Sequence, residues 1–315
     1  MEKNYQLYNG DNIPPIAFGT GVVNRFYRNN SKYLKDRLLD YLRTIKNRRM
    51  PRRLKNDLHI AETLDLAVVN GYRLFDSGRL YGHSEKCIGN AIHKHNRDNF
   101  FIITKISDDD LKRYPDVSSI HDNLSLSLEF LQTDYVNAYL LHFPSGDWIS
   151  MYRDIEREYK NNRAQAIGVC NFDVDELRQL IAECSIKPMI CQVEIHPLNT
   201  KKELRKYCQE NDIVVMAHTP TAHMDKRVQN SEIMQDLTKK YQKSAAQIIY
   251  RWHYQNGVIP IVSSTSDQHM KENLDIFDFE LTDEEMEELE ALNQDYSFDP
   301  YNNKKSDCPD FIYNL

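Results

Sequence analysis

Short, nearly continuous apolar runs alternate along most of this chain with longer segments whose hydrophobic positions recur every three or four residues. The runs at 72–76, 100–105, 135–142, 164–171, 189–194, 213–218 and 258–262 are rich in Ile, Val and aromatic side chains, as expected of strands buried on both faces of a parallel sheet. Helical spacing occupies 58–69, 84–93, 118–131, 148–160, 175–182, 201–210 and a pair across 232–256. Asn70-Gly71 closes the first of these, where a left-handed residue commonly stops a helix. A further run from Pro15 to Gly21 supplies the eighth strand. Eight strands alternating with helices predict an α/β protein, a closed (β/α)8 barrel of the TIM type, with 1–315 forming a single domain. An open, doubly wound sheet that bound a dinucleotide would want Gly-x-Gly-x-x-Gly after its first strand, and Gly19-Thr20-Gly21 stops short of that.

Three segments fall outside this rhythm. Residues 5–16 alternate around Asn9-Gly10, a strong hairpin signal, and are expected to plug one end of the barrel. An insertion over about 24–57 follows the first barrel strand. Within it, residues 24–55 hold twelve Lys and Arg against two Asp, with Tyr33, Leu34, Leu38, Tyr41, Leu42 and Ile45 at helical spacing. This predicts a basic amphipathic helix and a loop broken by Pro51. After the last strand come a helix over 267–276, an acidic helix over 282–292 opened by a capping box at Thr282, and a tail over 296–315. The tail lacks periodicity and is expected to cover one mouth of the barrel or to stay partly mobile.

Composition narrows the class. Hydrophobic residues at 41% and charged ones at 28% describe an ordinary globular chain, and no apolar run approaches the ~20 residues of a membrane span. The N-terminus lacks the apolar centre of a signal peptide, so a cytoplasmic location is expected. Cys87, Cys170, Cys184, Cys191, Cys208 and Cys308 are scattered without metal-ligand spacing and read as reduced thiols. His93 and His95 do not share a helix face, so no metal is expected. A net charge of −7 gives no global signal for nucleic acid.

The chemistry lies at the strand ends. Asp76, Lys105, His142, Asn171 and His218 lie at strand ends, the run from Gln192 to His196 ends the sixth strand and Ser263 follows the eighth, so a barrel brings them to one face. Tyr81 stands in the loop after Asp76. A phenol against a cation becomes a usable proton donor, and Lys105 supplies the cation while Asp76 holds it. His142 can bond and orient a bound carbonyl oxygen. No side chain delivers hydride to the carbonyl carbon, which implies a nicotinamide cofactor.

With these residues in place the chain resembles the aldo-keto reductase family. Asp76-Ser-Gly-Arg-Leu-Tyr81-Gly-His-Ser-Glu85 is similar to its Asp-Thr-Ala-x-x-Tyr-Gly-x-Glu signature with one extra residue. Ile103-Thr-Lys105 and Leu141-His-Phe-Pro144 match its lysine and histidine strands, and Gly168-Val-Cys-Asn-Phe172 and Gln192-Val-Glu-Ile-His-Pro197 match two more. The resemblance implies Tyr81 as general acid, Lys105 and Asp76 as its tuning pair, and His142 as the substrate-placing group. It also implies a cofactor held by Gly21, Cys170, Asn171, Gln192, His218, Ser263, Ser264, His269, Glu272 and Asn273, and a substrate lined by Val22, Phe143 and Trp148.

Three departures bear on what is bound. Ser263, Ser264 and His269 stand where the family usually carries a Lys-Ser pair and an Arg for the 2′-phosphate of NADPH, which weakens that selectivity. NADPH is the starting expectation, with NADH or dual use close behind, and Lys271 or the basic insertion as compensating charge. His218 stands where a Tyr usually stacks on the nicotinamide. The basic insertion is either a solvated elaboration of the rim or an attractor for an anionic carbonyl substrate such as a phosphorylated sugar. The reading is therefore NAD(P)H-dependent reduction of an aldehyde or ketone, with two rivals: a nucleotide-binding sensor subunit with little turnover, and a barrel whose basic helix docks a polyanionic partner.

Overall fold

Polar residues at the starts of the helices decide where each loop gives way to helix. The Asp173 carboxylate accepts from the Glu176 amide while Glu176 reaches back to Asp173, and the same reciprocal pair recurs at Ser244 with Gln247 and, as expected, at Thr282 with Glu285. These caps set off the helices Val174–Glu183, Ala245–Gln255 and Asp283–Glu290. The computed structural model describes residues 4–21, 52–113 and 117–298.

Between the helices run eight parallel strands: β3 (Ala17–Gly19), β4 (Leu74–Asp76), β5 (Phe101–Ile106), β6 (Val136–Leu141), β7 (Ala164–Cys170), β8 (Ile190–Glu194), β9 (Val214–His218) and β10 (Val258–Val262). They follow one another in chain order, and β10 pairs with β3 to close the barrel. Before them, β1 (Tyr5–Gln6) and β2 (Asn12–Ile13) form the antiparallel hairpin that Asn9-Gly10 predicted. Its Leu7 and Ile13 pack into the barrel interior with Ala17, Leu74, Ile103 and Leu140. Burying two aliphatic side chains this way stabilises the floor by about 1.5–3 kcal/mol each. Tyr8 Oη donates to the Lys187 carbonyl at 2.7 Å and Asn9 Nδ2 to the Gln165 carbonyl at 3.0 Å, fastening the hairpin beneath the strands. A second apolar layer, including Phe18, Ile60, Tyr139 and Trp252, seals the strands against the helices.

Strand register decides which residues reach the open rim. Gly19 lies beside Asp76, Lys105 beside Leu140, Cys170 beside Gln192, and Glu194 beside His218. The polar strand ends therefore collect at the carboxyl-terminal mouth, opposite the hairpin.

Differences from the sequence expectation sit in the connections. The first helix starts at Arg52 rather than at 58, and short helices Asp108–Arg113 and Lys226–Gln229 occupy loops. Both short helices are less than two turns long, too brief for periodicity to register. The expected basic helix, the loop at Pro51, Val22 and the tail past Phe298 lie outside the described residues.

Candidate active site

Asp76 is the last residue of β4, and the chain leaves it through Ser77-Gly78 into a single 3-10 turn, Arg79–Tyr81. Gly82 then takes φ 62° and ψ −115°, a reversal that favours a residue without Cβ, and starts the approach to helix Ser84–Ile92. The Ser77 and Ser84 hydroxyls share a 2.6 Å hydrogen bond across this loop. Arg79 Nη1 donates to Glu85 Oε2 at 3.0 Å, and Thr104 Oγ1 donates to the other oxygen of Glu85 at 2.5 Å. Arg79 and Glu85 are both buried, with the guanidinium 5.5 Å from the Phe130 ring centroid. Because Thr104 precedes Lys105 on β5, this buried network clamps the loop that carries Tyr81 to the strand that carries the lysine. The sequence reading assigned these residues no role. Their signal was an opposite charge on each side of Tyr81 in a short, glycine-bearing stretch.

Lys105 is fully buried, its Nζ 2.7 Å from each oxygen of Asp76 and 2.7 Å from the Ser77 carbonyl. Burial alone would lower the lysine pKa, but Asp76 and Tyr81 beside it outweigh that and raise it above its ordinary value. The ammonium lies 4.8 Å from the Tyr81 ring centroid. Burial pushes the Tyr81 phenol up to about 12, with the Lys105 charge pulling in the opposite direction. The phenol is thus protonated across neutral pH, beside the cation that would stabilise its anion. The His142 ring meets the Tyr81 ring edge-on at 5.7 Å and stacks on Phe143 at 4.4 Å, which fixes the imidazole at the mouth. Gly21 completes the wall: a Cβ there would lie 3.3 Å from Tyr81 Cζ. Cys170, from β7, is buried, and burial pushes its thiol well above the ordinary value despite Lys105 nearby.

Two amides join this group from across the barrel. Gln192 Nε2 donates to Asp76 Oδ1 at 2.7 Å. Asn171, held at φ 63°, donates through Nδ2 to the His142 carbonyl and accepts at Oδ1 from His218 Nε2, both at 3.0 Å. The acceptor role of Asn171 Oδ1 fixes the proton of His218 on Nε2. Asp76, Tyr81, Lys105, His142, Cys170, Asn171, Gln192 and His218 therefore form one connected constellation.

Beside it, Glu194 Oε1 accepts from His196 Nε2 at 2.8 Å and from the Phe298 amide at 2.6 Å, and Oε2 accepts from Ser297 Oγ at 2.5 Å. Burial would raise the Glu194 carboxyl, but the His196 hydrogen bond, the nearby His218 and His196 rings and the Ser297 hydroxyl hold it down at about 2. This carboxylate ties residues 296–298 to the mouth. Nothing in local sequence pattern signalled a bond between residues so far apart.

The remaining expected residues gather at the end of β10. Ser263 and Ser264 are half-buried and His269 is exposed. Ser266 caps helix Asp267–Leu274, its hydroxyl accepting from the His269 amide at 3.4 Å. Lys271 Nζ is 2.6 Å from Asp267 Oδ2, so the cation expected to compensate is already paired. Glu272 accepts from Gln268, and Asn273 is buried on the side facing Tyr72. Trp148 starts helix Trp148–Lys160 and meets Phe172 edge-on at 5.2 Å.

Comparisons with known proteins bear on this arrangement. The sequence profile of the aldo/keto reductase family matches residues 49–294. A glyoxal reductase of Bacillus subtilis (strain 168) is 37% identical over 251 residues, which cover 79% of this chain and 88% of that protein. A methylglyoxal reductase of Escherichia coli (strain K12) is 32% identical over 240 residues, covering 75% and 85%. Among solved structures, an aldo-keto reductase of Bombyx mori in complex with NADP superposes with a TM-score of 0.73 at 26% identity, covering 94% of each chain. An aldo-keto reductase from a deep-sea metagenome superposes at 0.76 with 28% identity, covering 96% of this chain and all of the other.

Proposed function

The chain belongs to the aldo-keto reductase family and is an NAD(P)H-dependent carbonyl reductase, and from that premise we propose that Tyr81 protonates the oxygen of a small aldehyde, a 1,2-dicarbonyl of the glyoxal and methylglyoxal kind foremost. The observation that carries this reading is the buried Asp76–Lys105 pair, with its ammonium 4.8 Å from the Tyr81 ring.

Asp76 holds Lys105 charged without solvent. Lys105 lowers the cost of the phenolate that Tyr81 becomes when it gives up its proton. His142, braced by Phe143 and by the Asn171 bond to its carbonyl, donates to the carbonyl oxygen and aims it at Tyr81. When bound, the nicotinamide supplies hydride to the carbonyl carbon. The alcohol oxygen keeps the Tyr81 proton, and Tyr81 is reprotonated from solvent.

The residues present fit such a cofactor. The Gln192 carboxamide oxygen has no partner among the described residues, so it can accept from an amide N–H. The capped N-terminus of helix Asp267–Leu274 presents backbone N–H groups suited to an anion. Ser263, Ser264 and His269 offer no permanent cation there, and Lys271 is paired with Asp267, which weakens grip on a 2′-phosphate; NADPH leads NADH only by a modest margin, on the similarity to an aldo-keto reductase in complex with NADP. Relatives named for glyoxal and methylglyoxal support the small-dicarbonyl reading over a bulky or anionic one.

The test is steady-state reduction of methylglyoxal, followed separately with NADPH and NADH, for the native chain and for Tyr81→Phe. Turnover by the native chain and its near-abolition in the variant are expected. Full-rate turnover by Tyr81→Phe would overturn the mechanism, and turnover of bulky carbonyls in preference to dicarbonyls would overturn the substrate class.

A further inference from the structure

The hydrogen bond from Gln192 to Asp76 crosses the whole mouth of the barrel. In the closed strand order, β8 stands four positions from β4, on the opposite wall. The amide on β8 nevertheless reaches the carboxylate on β4, at 2.7 Å and between residues 116 apart in sequence. Both partners are buried. The assignment of the amide is unambiguous, because an ionised carboxylate only accepts and must face the NH2 group. Asp76 Oδ1 thereby receives Gln192 on one side and Lys105 on the other, while Oδ2 receives Lys105 alone.

Building on the role proposed above for Tyr81, we propose that Gln192 is a positioning residue of the proton-donating machinery, a strut that pins the Asp76 carboxylate on Lys105 while leaving its own carboxamide oxygen for the cofactor. A residue that only bound cofactor would not need its N–H committed to the group that positions Lys105. Side-chain reach supports the assignment as well, since an Asn at this position would be one methylene too short to span the mouth. With the strut removed, the carboxylate loses a charge-assisted hydrogen bond in a buried site and gains freedom to rotate away from the ammonium.

Gln192→Met keeps the length and removes the donor. Gln192→Glu places a carboxyl against Asp76, where two neighbouring carboxylates cannot both ionise, so the new group keeps its proton and donates until the pH rises. The titratable groups around it are Asp76, Lys105, Tyr81 and Cys170. Two measurements read the outcome: kcat and the KM for the carbonyl at saturating cofactor across pH 5–9, and thermal unfolding of the cofactor-free protein over the same range. For Gln192→Met the expected result is a fall in kcat of about tenfold with the carbonyl KM unchanged, and a lower unfolding temperature at every pH. For Gln192→Glu it is a kcat and an unfolding temperature that are each highest at acid pH and fall together as the pH rises, along a limb the native protein lacks.

The proposal is overturned if Gln192→Met weakens only cofactor affinity, read by quenching of tryptophan fluorescence, with kcat and unfolding as in the native chain. It is equally overturned if Gln192→Glu shows no new limb. A native chain that reduced no carbonyl would defeat the proposed function instead, while the unfolding measurement would still decide whether Gln192 supports Asp76.

Discussion

The site at the barrel mouth has two halves built on different principles. In the first, which spans the mouth from β4 and β5 to β8, Asp76, Lys105 and Gln192 are buried and linked through the Asp76 carboxylate, and behind them Arg79, Glu85 and Thr104 lock the loop that carries Tyr81. At the end of β10, Ser263, Ser264, His269 and Glu272 are half-buried or exposed, and the hydrogen bonds of Ser264, His269 and Glu272 run to close neighbours on the same loop or helix. In the first half each group has several partners, so any change is felt by the others. In the second, groups act singly. Proton transfer demands charges placed to a fraction of an ångström in a dry site, whereas grip on a nucleotide tail is a sum of separable contacts with solvent at hand. On the function proposed above, the chemistry is therefore hard to alter, and the preference between NADPH and NADH is easy to alter.

Substitutions test that contrast. The largest effect is expected at Tyr81, where Phe removes the proposed general acid and kcat falls by about 10²–10⁴ in single-turnover or steady-state assays. Lys105→Met leaves the buried Asp76 carboxylate without its cation, so beyond the loss of activity stability drops by about 3–5 kcal/mol in denaturant titrations. A variant that lost activity with native stability would show the two groups to be less interdependent than the geometry implies. In the other half, Ser263→Lys adds one cation and should tighten NADPH binding about tenfold while leaving NADH binding and folding unchanged. Effects on both cofactors alike would break the comparison.

The smallest effect concerns the tie to the C-terminal segment. Glu194 has an ordinary value of 4.5 and is held at about 2 in the folded protein, so protons bind the unfolded state more readily. Its contribution is fully present above about 4.5 and is lost as the pH falls toward about 2. Glu194→Gln should flatten that part of the acid-unfolding curve and speed proteolysis near Ser297 at neutral pH.

What the sequence disclosed follows the same division. Strand ends, the hairpin and the capping box at Thr282 were legible because each depends on residues a few positions apart. So was the membership of Asp76, Tyr81, Lys105 and His142 in one site, since alternation of strand and helix brings every strand end to one rim. The bonds between them were not legible. Gln192 with Asp76 spans 116 positions and Glu194 with Ser297 spans 103, and which atoms meet depends on register and on side-chain reach across the mouth. The Arg79–Glu85 pair, though local, depends on a 3-10 turn too short to leave a periodic trace.

Cys170 extends this to the protein's own survival. The dicarbonyls proposed as substrates are electrophiles that thiolates and amines attack, and a reductase for them admits such compounds to a centre that holds both sulfur and nitrogen nucleophiles. Here the sulfur is buried and kept protonated, and the amine of Lys105 is kept as ammonium, the unreactive form in each case. The same desolvation and ion pairing that surround Tyr81 also passivate its neighbours, so the site is shielded from addition to the dicarbonyls proposed as its substrates.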